Sequence, residues 1–157
     1  MSVVMNEVSF PCLPARVLRK LNMTQKSCLL AEHDPWTIRL LRVYLEKCGF
    51  GVVQAFEGQD VLPLAMETRP TAILLESDLP GTLESAAVVG RLKANPKTCD
   101  IPIILFTWLD RLSALGLYAG TDGYLHKPVT YQAFVDAIAE IGISFDCCDG
   151  VSPKLRR

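Results

Sequence analysis

Four apolar runs in this chain end in side chains able to do chemistry. Ser27-Cys28-Leu29-Leu30-Ala31 ends at Glu32-His33-Asp34, and Ala72-Ile73-Leu74-Leu75 ends at Glu76-Ser77-Asp78. Ile101-Pro102-Ile103-Ile104-Leu105-Phe106 ends at Thr107, and Gly123-Tyr124-Leu125-His126 ends at Lys127-Pro128. Such runs read as strands that are buried on both faces and surface at their C-terminal ends. In an open parallel sheet, ligands and chemistry sit at that end. The acids, the hydroxyl and the ammonium group are therefore expected to converge in one pocket. There they would pair across the gap or hold a charged ligand.

Five strands must alternate with helices to place those ends together. Asp34 is a helix cap with Pro35 at the first helical position, and Ile38, Leu41, Leu45 and Cys48 form one stripe closed by Gly49. Strand two is expected over 51–56 and helix two over 59–67, with Pro63 distorting its first turns. Pro70 opens strand three, helix three spans 84–93, and Asn95-Pro96 breaks it. A short helix over 110–119 is weakened by Gly116, and Thr130 caps a last helix whose Phe134, Ile138 and Ile141 face the core. Alternating elements with short connections predict an α/β fold with a doubly wound parallel sheet.

The segments Leu30-Ala31-Glu32-His33-Asp34-Pro35, Leu74-Leu75-Glu76-Ser77-Asp78-Leu79-Pro80-Gly81, Ile101 to Thr107 and Gly123 to Pro128 resemble, in order and spacing, the receiver (CheY-like) domain of two-component response regulators. The resemblance runs from about Gln25 to Ile143. It implies a flavodoxin-like, five-stranded sheet in the order 2-1-3-4-5 with helices on both faces. It also implies that Glu32, position 33, position 76 and the backbone carbonyl at 78 hold magnesium, that Thr107 contacts a phosphoryl group and that Lys127 pairs with it. Tyr124 matches the aromatic that reports the signalling state, and Lys127-Pro128 matches a bond that is often cis. The surface of helix four, strand five and helix five matches the family's partner-binding face. The stretch from Thr107 to Lys127 is about two residues shorter than the family spacing. Trp108 stands where a small residue is usual, and core burial or service as a partner anchor are both open for it.

Two pocket positions depart from that pattern. The phosphoacceptor-equivalent position holds Glu76 rather than aspartate, and His33 replaces a metal-binding acid. The extra methylene moves the carboxylate outward by about 1.5 Å, and a misplacement of that order costs roughly a hundredfold in a positioned reaction. The same displacement carries a negative charge toward Lys127 and the Thr107 hydroxyl. Losing one oxygen ligand weakens magnesium, so no metal is expected beyond weak binding at Glu32, Glu76 and Asp78. Asp34 and Asp78 complete the acidic pocket, although Asp34 is better placed as a cap. His33 reads as a hydrogen-bonding spacer.

The expected function is a stand-alone degenerate receiver, not an enzyme, that works by protein–protein contact without aspartyl phosphorylation. It is either locked in an active-like state by Glu76–Lys127 or an inert scaffold. Phosphorylation at Asp78 or Asp34, which would need magnesium, is the first alternative. A small flavodoxin-like enzyme or nucleotide binder is the second, and the missing glycine-rich phosphate loop counts against it. The expected partner is a histidine kinase or another signalling protein, with the chain a monomer or weak homodimer. A formal net charge of −1 argues against a nucleic-acid footprint.

The 157 residues, half of them hydrophobic, fit one globular domain over 24–143, with a loosely ordered arm over 1–23 and a tail over 144–157. The arm's alternative is docking through Val8, Phe10, Leu13, Val17 and Leu18. The tail is too short for an output domain. Six cysteines without a Cys-x-x-Cys pair read as buried thiols, with Cys147-Cys148 an exposed pair. No signal peptide or membrane-length apolar run is present, so a cytoplasmic, non-membrane location is expected.

Overall fold

A computed structural model describes residues 25–145. The elements alternate as β1 (Ser27–Ala31), α1 (Pro35–Lys47), β2 (Gly51–Ala55), α2 (Gly58–Thr68), β3 (Ala72–Glu76), α3 (Ser85–Ala94), β4 (Ile103–Thr107), α4 (Arg111–Leu117), β5 (Gly123–His126) and α5 (Tyr131–Glu140). The strands form one parallel sheet in the order β2-β1-β3-β4-β5, as the resemblance implied. The expected arm and nearly all of the tail lie outside the described residues, as do Cys12, Cys147 and Cys148.

Every residue of β3 and β4 is buried, because helices cover both faces of the sheet. Cys28, Leu30, Leu74, Ile104, Phe106 and Leu125 point to one side and pack with Leu41 and Leu45 of α1 and Phe134 and Ile138 of α5. Leu29, Ala31, Ile73, Leu75 and Ile103 point to the other and meet Val61 and Ala65 of α2 and Val88, Val89 and Leu92 of α3. Cys28 and Cys48 are buried free thiols, and burial pushes the Cys28 thiol up to about 12. Cys99 is also free but exposed, against the expectation of burial. Among the described residues no helix is long and apolar enough to cross a membrane.

Two local expectations need correction. Pro63, expected to distort the first turns, lies inside α2, which runs unbroken from Gly58 to Thr68. Its ring faces solvent, so it meets no packed neighbour. The helix expected over 110–119 closes at Leu117, and its side chains are exposed except for Ala114. So few inward contacts leave nothing to extend it.

The start of α2 also fixes the loop that leaves β3. Gly58 donates its N–H to the Pro80 carbonyl at 3.0 Å. A Cβ on Gly58 would lie 1.9 Å from the Leu83 carbonyl oxygen, so only glycine allows this approach.

Asp34 caps α1, as expected, by accepting the Thr37 N–H at 2.7 Å on Oδ2. The Thr37 side-chain hydrogen bond, then its backbone N–H, hold the Asp34 carboxyl below its ordinary value. A depressed folded value stabilises the protein above the unfolded carboxylate pKa, and this contribution is lost as pH falls through the folded value. Asp34→Ala is therefore expected to lower the urea midpoint at neutral pH. The gap from wild type should narrow below about pH 4, as urea titrations across pH would show.

Candidate functional site

Register brings the expected residues to one end of the sheet. Ala31 pairs with Leu75, so Glu32, one residue on, sits level with Glu76 at the ends of neighbouring strands. Glu76 pairs with Phe106, Thr107 pairs with His126, and Lys127 donates its N–H to the Thr107 carbonyl at 2.9 Å. Side-chain alternation then sorts them. Glu32, Glu76 and Lys127 share the parity of the strand residues that face α1 and α5, whereas Thr107 has the parity of those facing α2 and α3.

Lys127 is the centre of the site. Its Nζ donates to Glu32 Oε2 at 3.3 Å and forms an ion pair with Glu76 Oε2. Both carboxylates are out of water, with Glu32 0% and Glu76 2% exposed. The ammonium also lies 4.5 Å from the centroid of the Phe106 ring, whose π face attracts a cation. The Lys127–Pro128 peptide is cis.

The remaining oxygens are satisfied locally. Glu32 Oε1 accepts the N–H groups of His33 and Asp34 at 2.7 and 2.9 Å, and His33 Nδ1 lies 3.4 Å away. Glu76 Oε1 accepts from Ser77 Oγ and from the Asp78 N–H, each at 3.2 Å. Glu76 therefore faces into the crevice, toward the ammonium.

The other predicted residues are arranged differently. Thr107 is buried but does not meet Glu76 directly; Ser77 Oγ stands between them, donating to Glu76 and accepting from the Thr107 hydroxyl at 2.8 Å. Thr107 Oγ1 also accepts the Leu109 N–H at 3.1 Å. Asp34 serves the α1 cap rather than the pocket. Asp78 joins through its backbone only, and its exposed side chain lines a separate cleft of about 220 Å³ with Glu84, Ser85 and Tyr118. Tyr124 donates its hydroxyl to the Leu109 carbonyl. Trp108 is 67% exposed, which removes the core reading.

Ser77 and Tyr118 were missed. Tyr118 follows α4 and donates its hydroxyl to the Ser77 carbonyl at 2.8 Å. Burial, then the Asp78 and Glu84 carboxylates, raise the Tyr118 phenol above its ordinary value. The signal for Ser77 was its parity with Thr107; Tyr118 had no signal beyond being a large polar aromatic at a helix end.

The profile of the response regulator receiver domain matches residues 28–139. The chain belongs to the response regulator receiver domain family. It is 33% identical over 102 residues to the DNA-binding dual master transcriptional regulator RpaA of Synechocystis, covering 64% of this chain and 42% of RpaA. Protein PilH of Pseudomonas aeruginosa is 30% identical over 112 residues, covering 70% of this chain and 92% of PilH. The chain thus spans about half the length of RpaA and of several other curated relatives but nearly all of PilH. Among solved structures, the receiver domain of sensor histidine kinase PA1611 from Pseudomonas aeruginosa has a TM-score of 0.68 and 25% identity. That match covers 75% of this chain and 98% of the other, which holds a magnesium ion in its active-site cleft.

This receiver's donors do not fit magnesium. The ammonium of Lys127 contacts the facing oxygens of both Glu32 and Glu76, where it already supplies positive charge. The Asp78 side chain lines the neighbouring cleft, leaving only its backbone carbonyl for the pocket, and Asp34 is committed to its helix. Among the described residues no three acidic, histidine or cysteine side chains gather into one cluster.

Removing the cation would leave two buried carboxylates facing each other. Lys127→Met should cost about 3–5 kcal/mol, read as a lower urea midpoint at unchanged slope. Glu76→Gln should cost clearly less, because Lys127 keeps Glu32 as its partner.

Proposed function

We propose that this receiver domain signals without aspartyl phosphorylation, as a pseudo-receiver in a two-component or phosphorelay system, by binding a protein partner rather than by catalysis. The observation that carries this reading is the placement of Lys127 Nζ against both Glu32 and Glu76. A lysine able to neutralise an incoming phosphoryl group is here already neutralised by a longer carboxylate in the acceptor's place. An attacking oxygen must be free and in line with the leaving group. The outer oxygen of Glu76 is tied to the ammonium and the inner one to Ser77 and the Asp78 N–H.

The locked version is favoured over the inert scaffold by the hydrogen bonds that leave the pocket. Glu76 holds Ser77, Ser77 holds Thr107, and Thr107 holds the Leu109 N–H, whose residue accepts the Tyr124 hydroxyl. The charge at position 76 is thereby connected to the α4–β5 surface. There Trp108, Leu112, Leu115 and Leu117 stand exposed, a concentration of apolar side chains suited to a protein interface. A histidine kinase or another signalling protein is the proposed partner, met through α4, β5 and α5.

Two measurements test this. Incubation with magnesium and a small acyl phosphate should add no phosphoryl mass to the wild-type chain. Glu76→Asp combined with His33→Asp should recover partial labelling; robust labelling of the unaltered chain would sink the proposal. Lys127→Ala should shift the Tyr124 ring resonances, and an unmoved Tyr124 would favour the inert scaffold.

A further inference from the structure

The two sides of the sheet present surfaces of opposite charge to solvent. On α1, Trp36, Arg39, Leu40 and Val43 are all exposed. Their spacing makes each a surface neighbour of two others, so Arg39 stands among three apolar side chains. Trp36 is 79% exposed. Among the described residues neither Arg39 nor Arg42, one turn further on, has an ion-pair partner, and Glu46 is the single acid of the helix.

Across the sheet, the cleft of about 220 Å³ is acidic. Asp78 and Glu84 line it with Leu79, Ala86 and Tyr118, and no base does so. Glu84 stands at the N-cap of α3 without a side-chain cap bond, so its carboxylate is left to the cleft. The charges acting on the Tyr118 phenol are those of Asp78 and Glu84, whereas Arg111 acts on Tyr124 instead. Glu57 adds to the same field: Gln59 donates to its carboxylate and accepts the Thr82 N–H of the loop beside the cleft. This surface lies on the α2–α3 side, where Leu79 and Tyr118 pack, and α1 packs on the other. The two surfaces of one copy therefore cannot meet each other.

We infer that this chain self-associates head to tail, with the α1 face of one copy seated on the Asp78–Glu84 cleft of the next. Arg39 enters between the two carboxylates, and its planar guanidinium stacks on the Tyr118 ring while its N–H groups pair with the acids. Trp36, Leu40 and Val43 close around it and exclude water, the setting in which tryptophan and arginine anchor interfaces. Charge selects this arrangement over a two-fold one. Joined through α1, two copies would set Arg39 and Arg42 against themselves; joined through the cleft, they would oppose Asp78 and Glu84. A head-to-tail contact leaves one α1 face and one cleft open at the ends of each oligomer, so growth passes the dimer.

Sedimentation of the full chain tests this. One helix face against one cleft makes a small interface, so association is read from micromolar to millimolar protein. The average mass should rise past the dimer with concentration and fall again at high salt. Arg39→Glu on α1, or Asp78→Asn with Glu84→Gln in the cleft, should each weaken association about tenfold or more, with circular dichroism unchanged. Mixed in equal amounts, the two variants should form dimers that grow no further, because the first keeps an intact cleft and the second an intact α1 face. Wild-type chain that stays monomeric over that range, or association indifferent to Arg39→Glu, would overturn the inference. So would a wild-type assembly that stops at the dimer and survives the cleft replacements, the mark of a two-fold contact elsewhere.

Discussion

A single ammonium ion set between two buried carboxylates organises this domain. Each charge taken from water costs several kcal/mol unless it is met by an opposite charge and hydrogen bonds. Lys127 meets Glu32 and Glu76 at once, and the oxygens it leaves are met by the N–H groups of His33, Asp34 and Asp78. Those donors belong to the loops leaving β1 and β3. The loops are thus held by the charges they surround, and the sheet's C-terminal edge is fixed as one electrostatic unit. The α1 cap depends on the same unit, because Asp34 gives its N–H to Glu32 while its carboxylate holds Thr37.

Much of this was legible before any coordinates. A short apolar run that stops abruptly at an acid and is bounded by turn residues reads as a buried strand that emerges at its end, and β1 and β3 are such strands. Asp34-Pro35 announced a capped helix through the chemistry of both residues. What stayed hidden depended on the face to which a residue turns. Thr107 looked like a direct partner of Glu76 because both end neighbouring strands, yet the pleat sends them to opposite sides of the sheet. Ser77, one residue past Glu76, has the parity needed to bridge them. Asp78 looked like a ligand by proximity in sequence, which says nothing about which cleft a loop residue enters.

That bridging hydroxyl links a charge near the α1 side of the sheet to the segment leading into a helix on the other. Ser77 reaches Glu76 and Thr107 through its hydroxyl and Tyr118 through its carbonyl. Thr107 and Tyr124 then converge on Leu109, one through its N–H and the other through its carbonyl. The segment leading into α4 is therefore pinned at Leu109 and the helix again at Tyr118, by polar contacts traceable to the pocket. Between these pins only Ala114 is buried. A helix with so little apolar anchoring is positioned chiefly by its ends, and position is what such hydrogen bonds transmit.

The surface follows from the same economy of burial. Because Ala114 alone turns inward, Leu112, Leu115 and Leu117 have nowhere to go but outward. On α1 the outward residues coexist with Leu41 and Leu45, which bury the opposite side fully. Its exposed stripe therefore rides on a firmly packed helix, whereas that of α4 rides on a tethered one. An occupant of α1 would add to a surface already fixed. An occupant of α4 would supply the packing that the core withholds, so its binding and the placement of that helix would be thermodynamically coupled. A charge change at Glu76 and a change of occupant on α4 would then act on the same equilibrium from opposite ends, each altering the other's effect by the same factor.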